Sequence, residues 1–310
     1  MRAFALTGFG ETPTIVDLPL PEPVEGEVRV RVHAASVNGF DLSVAKGRLE
    51  GMMEHRFPVV LGKDFAGTVD ALGTGVTGYQ VGDRVFGVVT KPYIGDGSLG
   101  EYVTVPVAVG IAKLPDNVDF AEGAGLGLAG TAAAEAFDAG KIGEGTTVLV
   151  AGATGGVGQQ ALQLAVRAGA RVIATASSNE EKELVTNLGA TATVDYKADV
   201  TEQVLAGNPD GVDAVLNFAG DPAALVPAVK QGGRLVSTLI MSPADVPAEG
   251  IEVVSIYANP SPGALERLAR NQADKHTAVT VQRTYSLEQT ATAFEDFAAG
   301  TLGKLVVTVA

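Results

Sequence analysis

The residues best suited to chemistry in this chain are glycines. The segment Thr147-Val148-Leu149-Val150-Ala151-Gly152-Ala153-Thr154-Gly155-Gly156-Val157-Gly158 runs an apolar, β-branched stretch into a glycine turn, and a helix-like stretch follows from Gln159 to Ala168. Strand, glycine turn and helix in immediate succession are the context of a loop that holds the pyrophosphate of a dinucleotide. Gly155 lets backbone approach the phosphates, and Gly158 lets the helix pack closely on the strand. Together with Gly152, Ala153, Thr154, Gly156 and Val157 they form the candidate phosphate site, to which the helix N-terminus brings free N–H groups and a partial positive charge.

A second chemical signal lies about 20 residues further on, where a loop of this kind that prefers NAD places Asp or Glu for the ribose 2′-hydroxyl. Here Arg171-Val172-Ile173-Ala174-Thr175 runs into Ala176-Ser177-Ser178-Asn179, with no acid at the strand end. Ser177 and Ser178 suit a 2′-phosphate, and Lys182 can add a positive charge. NADPH is therefore expected over NADH. Ser177, Ser178 and Asn179 also read as caps of the next helix, and one residue can do both.

These residues need a scaffold. From Thr146 onward apolar strands alternate with amphipathic segments. Strands are expected at 147–151, 171–175, 192–195, 212–218, 233–239 and 251–257, with helices at 158–168, 180–188, 200–205 and 222–230. Six strands with crossovers make an α/β, doubly wound parallel sheet. The turns Phe218-Ala219-Gly220, Leu239-Ile240-Met241 and Ile256-Tyr257-Ala258 then fall at its carboxyl edge, where cofactors lie. Residues 1–118 read differently. Strands at 27–34, 66–71, 84–89 and 101–106 are punctuated at short spacing by turns such as Gly73-Thr74-Gly75 and Gly82-Asp83, the pattern of a compact β-barrel. A helix at 263–271, a strand at 279–285, a helix at 287–299 and a closing strand at 303–309 follow the sheet. That last strand can return to the first domain, which gives domains of 1–118 plus 265–310 and of 119–264.

Composition removes several function classes. There are 310 residues and no cysteines, so thiolate nucleophiles, disulfides and cysteine-bound zinc are absent together. The three histidines form no HxxxH or HExxH pair, and no metal is expected. A formal charge of −14 disfavours nucleic acid and anionic membranes. No apolar run reaches the roughly 18 residues of a membrane span. Met1-Arg2-Ala3-Phe4-Ala5 reads as a strand start rather than a signal peptide, so a cytoplasmic protein is expected.

Several motifs in order carry a family resemblance. Ala35-Ser36-Val37-Asn38-Gly39-Phe40-Asp41 resembles a VNxxD segment. Pro58 to Val69 resembles P-x-x-x-G-x-[DE]-x-x-G-x-V. Val81-Gly82-Asp83-Arg84-Val85, Gly100-Glu101-Tyr102-Val103, Gly130-Thr131-Ala132, Gly152 to Gly158, and Gly303-Lys304 follow. The whole chain resembles the zinc-independent, quinone oxidoreductase branch of the medium-chain dehydrogenase/reductase superfamily. Zinc-dependent relatives place Cys where Asn38 falls and Gly-His-Glu where Gly62-Lys63-Asp64 stands.

The resemblance implies a GroES-like β-barrel catalytic domain beside a Rossmann domain. It implies hydride transfer from NADPH to a quinone or an α,β-unsaturated carbonyl. Reduction of simple aldehydes or ketones is an alternative reading, and so is a cofactor-binding protein with little turnover. Asn38 is the leading candidate to stabilise oxyanion charge, and equally reads as a turn-stabilising Asn before Gly39. Lys63 can donate to an oxyanion, and reads as well as a solvated loop lysine. Asp41 reads as a brace of its loop. Thr131 and the closing Lys304 join the cofactor-contacting set by resemblance, as does Tyr196, at the position of a phosphate-contacting tyrosine. Phe218, Ala219, Leu239 and Tyr257 complete it. Tyr93 lies in a loop that can border the cleft. Relatives pair their nucleotide-domain edge strands, so the apolar strand at 251–256 implies a homodimer.

Overall fold

Val28, Val30, Val32 and Ala34 alternate with polar neighbours, and this period of two produces the strand Glu27–Ser36, ten residues long, with all four side chains buried. It organises a seven-stranded sheet. The order is Val281–Ser286, Lys304–Thr308, Glu27–Ser36, Asp64–Leu72, Arg84–Val88 and Ile111–Lys113, with Tyr102–Pro106 pairing to Glu27–Ser36 off that path. Every pairing is antiparallel except the first, which the helix Thr290–Ala299 bridges. Arg2–Leu6, Thr14–Asp17 and Val59–Val60 form a smaller antiparallel sheet. Phe4, Leu6, Phe65, Leu99, Ile111 and Leu305 share one core.

The last strand does return: Val306 pairs with Ser36, Val307 with Ala35 and Thr308 with Ala34. In this computed structural model, which describes residues 1–309, the chain divides into two compact units. The first is Met1–Leu128 with Pro260–Lys275 and the residues from Val279 onward; the second is Ala129–Asn259 with His276–Ala278. The division falls inside the helix Phe120–Ala139 rather than at residue 118. One apolar helix supplies two cores. Ala124 and Leu126 pack with Leu114 and Val118, whereas Ala133 and Ala136 pack with Val148 and Val150.

The second unit holds six parallel strands in the order Ala192–Val194, Arg171–Thr175, Thr147–Ala151, Val212–Asn217, Val229–Ser237 and Glu252–Ser255. Val148, Leu149 and Val150 are fully buried, as a strand covered on both faces requires. The order reverses at Thr147–Ala151, so the carboxyl end of that strand is a topological switch point. The helix expected at 222–230 is instead a 3₁₀ segment, Ala223–Ala228. Pro227 inside it has no N–H to continue an α-helix, and the fifth strand begins at Val229, four residues before the expected Gly233.

Candidate active site

In the second unit, Gly152 ends the first strand at φ +79°, where a Cβ would lie 2.9 Å from the Ala219 Cβ. Its N–H donates to Thr175 Oγ1 at 2.9 Å, which ties the turn to the neighbouring strand. The helix Gly156–Arg167 is capped by Gly155, so no side chain satisfies its first N–H groups, and no acid stands in its first turn. Open donors of this kind fit a pyrophosphate. The two key glycines differ. A Cβ on Gly155 would meet only Gly152 O, at 3.6 Å; a Cβ on Gly158 would lie 2.1 Å from that oxygen and 2.7 Å from Ala153 Cα. Gly158 is therefore a close-packing position, while Gly155 faces space. Gln159 Nε2 donates to Thr154 O at 2.7 Å and holds the loop from behind.

The residues expected around a 2′-phosphate converge, with Glu181 at their centre. Ser177 N and Ser178 N donate to Glu181 Oε2 at 2.5 and 2.9 Å, and Tyr196 OH donates to Oε1 at 2.9 Å. Ser178, not Asn179, caps the helix Asn179–Asn187, and its Oγ accepts from Glu181 N. Partial burial pushes the Glu181 carboxyl up, but the Ser178 and Ser177 N–H groups and the Tyr196 hydroxyl outweigh it and hold it below the usual range. The Lys197 N–H and the Ser177 hydroxyl hold the Asp195 carboxyl low as well, with Lys182 and Lys197 adding charge. The corner therefore alternates Glu181 and Asp195 with Lys182 and Lys197.

At the other carboxyl-edge turns, Phe218 N donates to Ala151 O at 2.9 Å, and Ala219 O accepts from Asn217 Nδ2 at 2.8 Å. Ser237 Oγ donates to Asn217 Oδ1 at 2.7 Å and accepts from Leu239 N at 3.0 Å. This buried Asn217–Ser237 pair ties the fourth strand to the fifth. Leu239 and Tyr257 are about half exposed, and Thr131 is buried in its helix.

In the first unit, the functional side chains cluster around Asp64, which is fully buried at the start of its strand. Its Oδ2 accepts from Ser36 Oγ at 2.8 Å and Asn38 Nδ2 at 2.9 Å; its Oδ1 accepts from Leu128 N at 2.7 Å. Lys304 Nζ lies 3.4 Å from Asp64 Oδ2 and donates to Asn38 Oδ1 at 2.7 Å and Val37 O at 3.4 Å. Lys304 is 4% exposed. The structure thus places this lysine, expected among cofactor contacts, in a buried ion pair with Asp64. The Asn38 amide, for its part, is bonded at both ends. Neither signal was visible locally, since Lys304 and Asp64 are 240 positions apart.

Lys63 is not a solvated loop lysine. Nζ donates to Val89 O at 2.8 Å and lies 4.9 Å from the Phe40 ring centre. Burial lowers its pKa, opposed by the charges of Asp41 and Asp64. Asp41 stands in the first turn of the short helix Gly39–Ala45; its Oδ2 accepts from Asn38 N at 2.8 Å, and Oδ1 is buried without a partner. Burial and then the Asp64 charge push its carboxyl up to about 7, against the Asn38 N–H, Lys304 and Lys63. Phe40, Asp41, Lys63, Lys91, Tyr93 and Asp96 share the lining of one small, open pocket.

Comparison with known proteins agrees with both units. The alcohol dehydrogenase GroES-like domain matches residues 24–116, and the zinc-binding dehydrogenase domain matches residues 156–251. An Arabidopsis thaliana chloroplast envelope quinone oxidoreductase homolog is 33% identical over 229 residues, 71% of this chain and 68% of that protein. A chloroplastic NADPH-dependent alkenal/one oxidoreductase of the same plant is 32% identical over 245 residues, 76% of this chain and 62% of its own. The chain covers about three fifths of the first curated relatives it matches, 61% and 62%. Among solved structures, the quinone oxidoreductase from Coxiella burnetii superposes with a TM-score of 0.91 at 27% identity, covering 100% of this chain and 99% of that one. A mycobacterial protein solved in complex with NADPH superposes with a TM-score of 0.86 at 27% identity, covering 99% and 100%. Although one matching domain is described as zinc-binding, the described residues place no group of three or more His, Cys, Asp or Glu to hold a metal. The chain belongs to the medium-chain dehydrogenase/reductase superfamily, alongside its quinone and alkenal oxidoreductases.

Proposed function

We propose that this chain is an NADPH-dependent, zinc-free reductase of quinones or of C=C bonds conjugated to a carbonyl. The observation that carries the reading is the uncapped helix N-terminus at Gly155, open to an anion, at the switch point of the parallel sheet. The reduced nicotinamide supplies a hydride when bound. Gly156 and Val157 offer backbone N–H groups to the pyrophosphate, the Gly155 N–H being bonded to Gly152 O. Lys182 brings a positive charge to the 2′-phosphate, and the Ser177 N–H and Tyr196 hydroxyl, which donate to Glu181, must turn from that carboxylate to meet it. Lys63 brings a positive charge to the cavity, where it would stabilise negative charge developing on the acceptor oxygen. Asn38 acts by position, since its amide joins Lys304 to Asp64. Conjugated acceptors are already electrophilic, so no metal ion need polarise them.

The test is a panel of quinones, enones and simple aldehydes followed by NADPH consumption, before and after chelator treatment. Turnover confined to the conjugated acceptors and unchanged by the chelator is expected. Turnover with simple aldehydes alone, or activity that only added Zn²⁺ restores, would overturn the proposal. NADPH binding without turnover on any acceptor would favour a cofactor-binding role.

The proposal extends to a cytoplasmic homodimer. Among the described residues no helix is long and apolar enough to cross a membrane. The edge strand Glu252–Ser255 pairs on one side only, and Ile251, Val253, Val254 and Ile256 are partly exposed around it. A second copy pairing there would cover an edge that otherwise invites aggregation. Light scattering that gives 31.5 kDa, the mass of one chain, at micromolar concentration would rule the dimer out.

A further inference from the structure

We propose that Asp41 stores the proton that the reduced acceptor takes up. The inference rests on the reductase reading above and adds the group that reading lacks, a proton donor.

Geometry singles out Asp41. It lines the cavity with Lys63, yet it is 1% exposed. One carboxyl oxygen is fixed by the Asn38 N–H at 2.8 Å, and the other is buried with no hydrogen-bond partner. A buried oxygen without a donor is costly as a carboxylate and far less so as a protonated carboxyl. The surrounding charges point the same way. Asp64 disfavours a second negative charge, and Lys304 is already engaged by Asp64 and Asn38. Lys63 donates only to a neutral carbonyl, that of Val89, so its charge is free to compensate a carboxylate once the proton has left.

The other titratable groups lining the cavity are less able to act. Lys91 is held by Glu27, Asp96 and Thr104. Tyr93 donates to Asp96 at 2.9 Å, and burial together with that bond pushes its hydroxyl up to about 12. Asp96 is the acceptor of both. Asp41, pushed by burial to about 7, is the cavity group whose proton is both held and readily released near neutrality.

The step balances. The acceptor gains a hydride at carbon, and the π-electron pair of its conjugated system moves onto its carbonyl oxygen. The Asp41 O–H bond breaks, its electron pair stays on the carboxylate, and a new O–H bond forms on the acceptor. A quinone leaves as a hydroxydienone, which loses its sp³ ring proton to solvent and takes one up on the remaining carbonyl oxygen to aromatise to the hydroquinone; an enone leaves as an enol that tautomerises to the saturated carbonyl. Solvent then reprotonates Asp41.

The experiment measures single-turnover NADPH oxidation from pH 5.5 to 8.5 with the best quinone or enone, alongside NADPH affinity by fluorescence. The wild-type rate should fall as pH rises through about 7. Asp41→Asn should lower kcat by about a hundredfold, at the lower end of general acid catalysis, flatten the pH profile and leave NADPH affinity and KM unchanged. Lys63→Gln, which removes the compensating cation, should move the inflection to higher pH, and this arm still decides if Asp41→Asn does not fold. Wild-type turnover with a flat profile, or an Asp41→Asn enzyme that keeps wild-type kcat, would overturn the inference and leave the reductase reading standing. Absence of turnover with every acceptor would overturn both.

Discussion

Gly155 and Gly158 separate binding from folding within one turn of helix. Gly155 has φ −77° and ψ 169°, ordinary extended backbone open to any residue, and a Cβ there meets only Gly152 O, at 3.6 Å. Gly155→Val should therefore melt like the wild type. Its side chain would occupy the space in which the phosphates meet the helix N-terminus, and NADPH affinity should fall by more than ~2 kcal/mol, about thirtyfold, the scale of losing a charge-assisted contact or two. Gly158→Ala fails in the opposite way. Its Cβ would lie 2.1 Å from Gly152 O, against the 3.4 Å at which ordinary contact begins, so the helix must withdraw by 3.4 − 2.1 = 1.3 Å. Every nearby atom is backbone, and none can rotate aside. Overpacking of this kind costs about 1–3 kcal/mol, and each kcal/mol lowers Tm by about 1.5 °C in a protein of this size. Fluorescence titration with NADPH and calorimetric melting of both variants decide the matter. A Gly155→Val protein with undiminished NADPH affinity would show that the loop is only a tight turn and would remove the main support for the functional proposal. A Gly158→Ala protein with wild-type melting would refute the packing argument.

Lys304→Met should destabilise the protein by about 3–5 kcal/mol, because it strands the buried Asp64 charge; denaturant titration checks this, and a loss under ~1 kcal/mol would contradict it. The raised carboxyl of Asp41 makes a stability contribution that is present in full below its unfolded value of 3.8 and is lost as pH rises through about 7. The stability of the wild type relative to Asp41→Asn should thus decline between those limits by of order 4 kcal/mol, and a difference that is flat or grows with pH would be the wrong sign. NADPH should bind more tightly than NADH, and Ala176→Asp, at the end of the second strand, should shift the preference towards NADH; equal affinities in the wild type would count against the 2′-phosphate site.

The phosphate loop was legible in the sequence because its requirements are local: a turn at Gly152, an uncapped helix at Gly155 and close packing at Gly158 all fall within one short segment. The parallel strands at 147–151 and 171–175 were equally plain, since buried strands read as unbroken apolar runs. The Asp64–Asn38–Lys304 cluster was not legible. Lys304 follows a glycine turn, where a lysine ordinarily faces water, and only the pairing of the last strand with Glu27–Ser36 carries it inward. Glu181 was hidden for another reason: three residues after Ser178 it is a sufficient helix-capping signal, and the donors gathered on its carboxylate come partly from Tyr196, in a different loop. Within the apolar stretch at 222–230, Pro227 limits the helix, because it has no N–H to give.

The pairing of Ser36 with Val306 has a consequence for biosynthesis. The two residues are 306 − 36 = 270 positions apart, and at ~5–20 residues per second a ribosome needs roughly 15–50 s to travel from one to the other. The six-stranded nucleotide unit can close in that interval, because its strands end at Ser255. The first unit cannot. Until residue 304 emerges, Asp64 waits without its cation and the edge of Glu27–Ser36 without its last strand. A message truncated shortly before that codon would yield a chain able to hold a nucleotide and unable to assemble the cluster around Asn38. The nascent protein spends that interval with the Ala34–Ser36 end of its longest strand unpaired on one edge, which is when a chaperone would have most to protect.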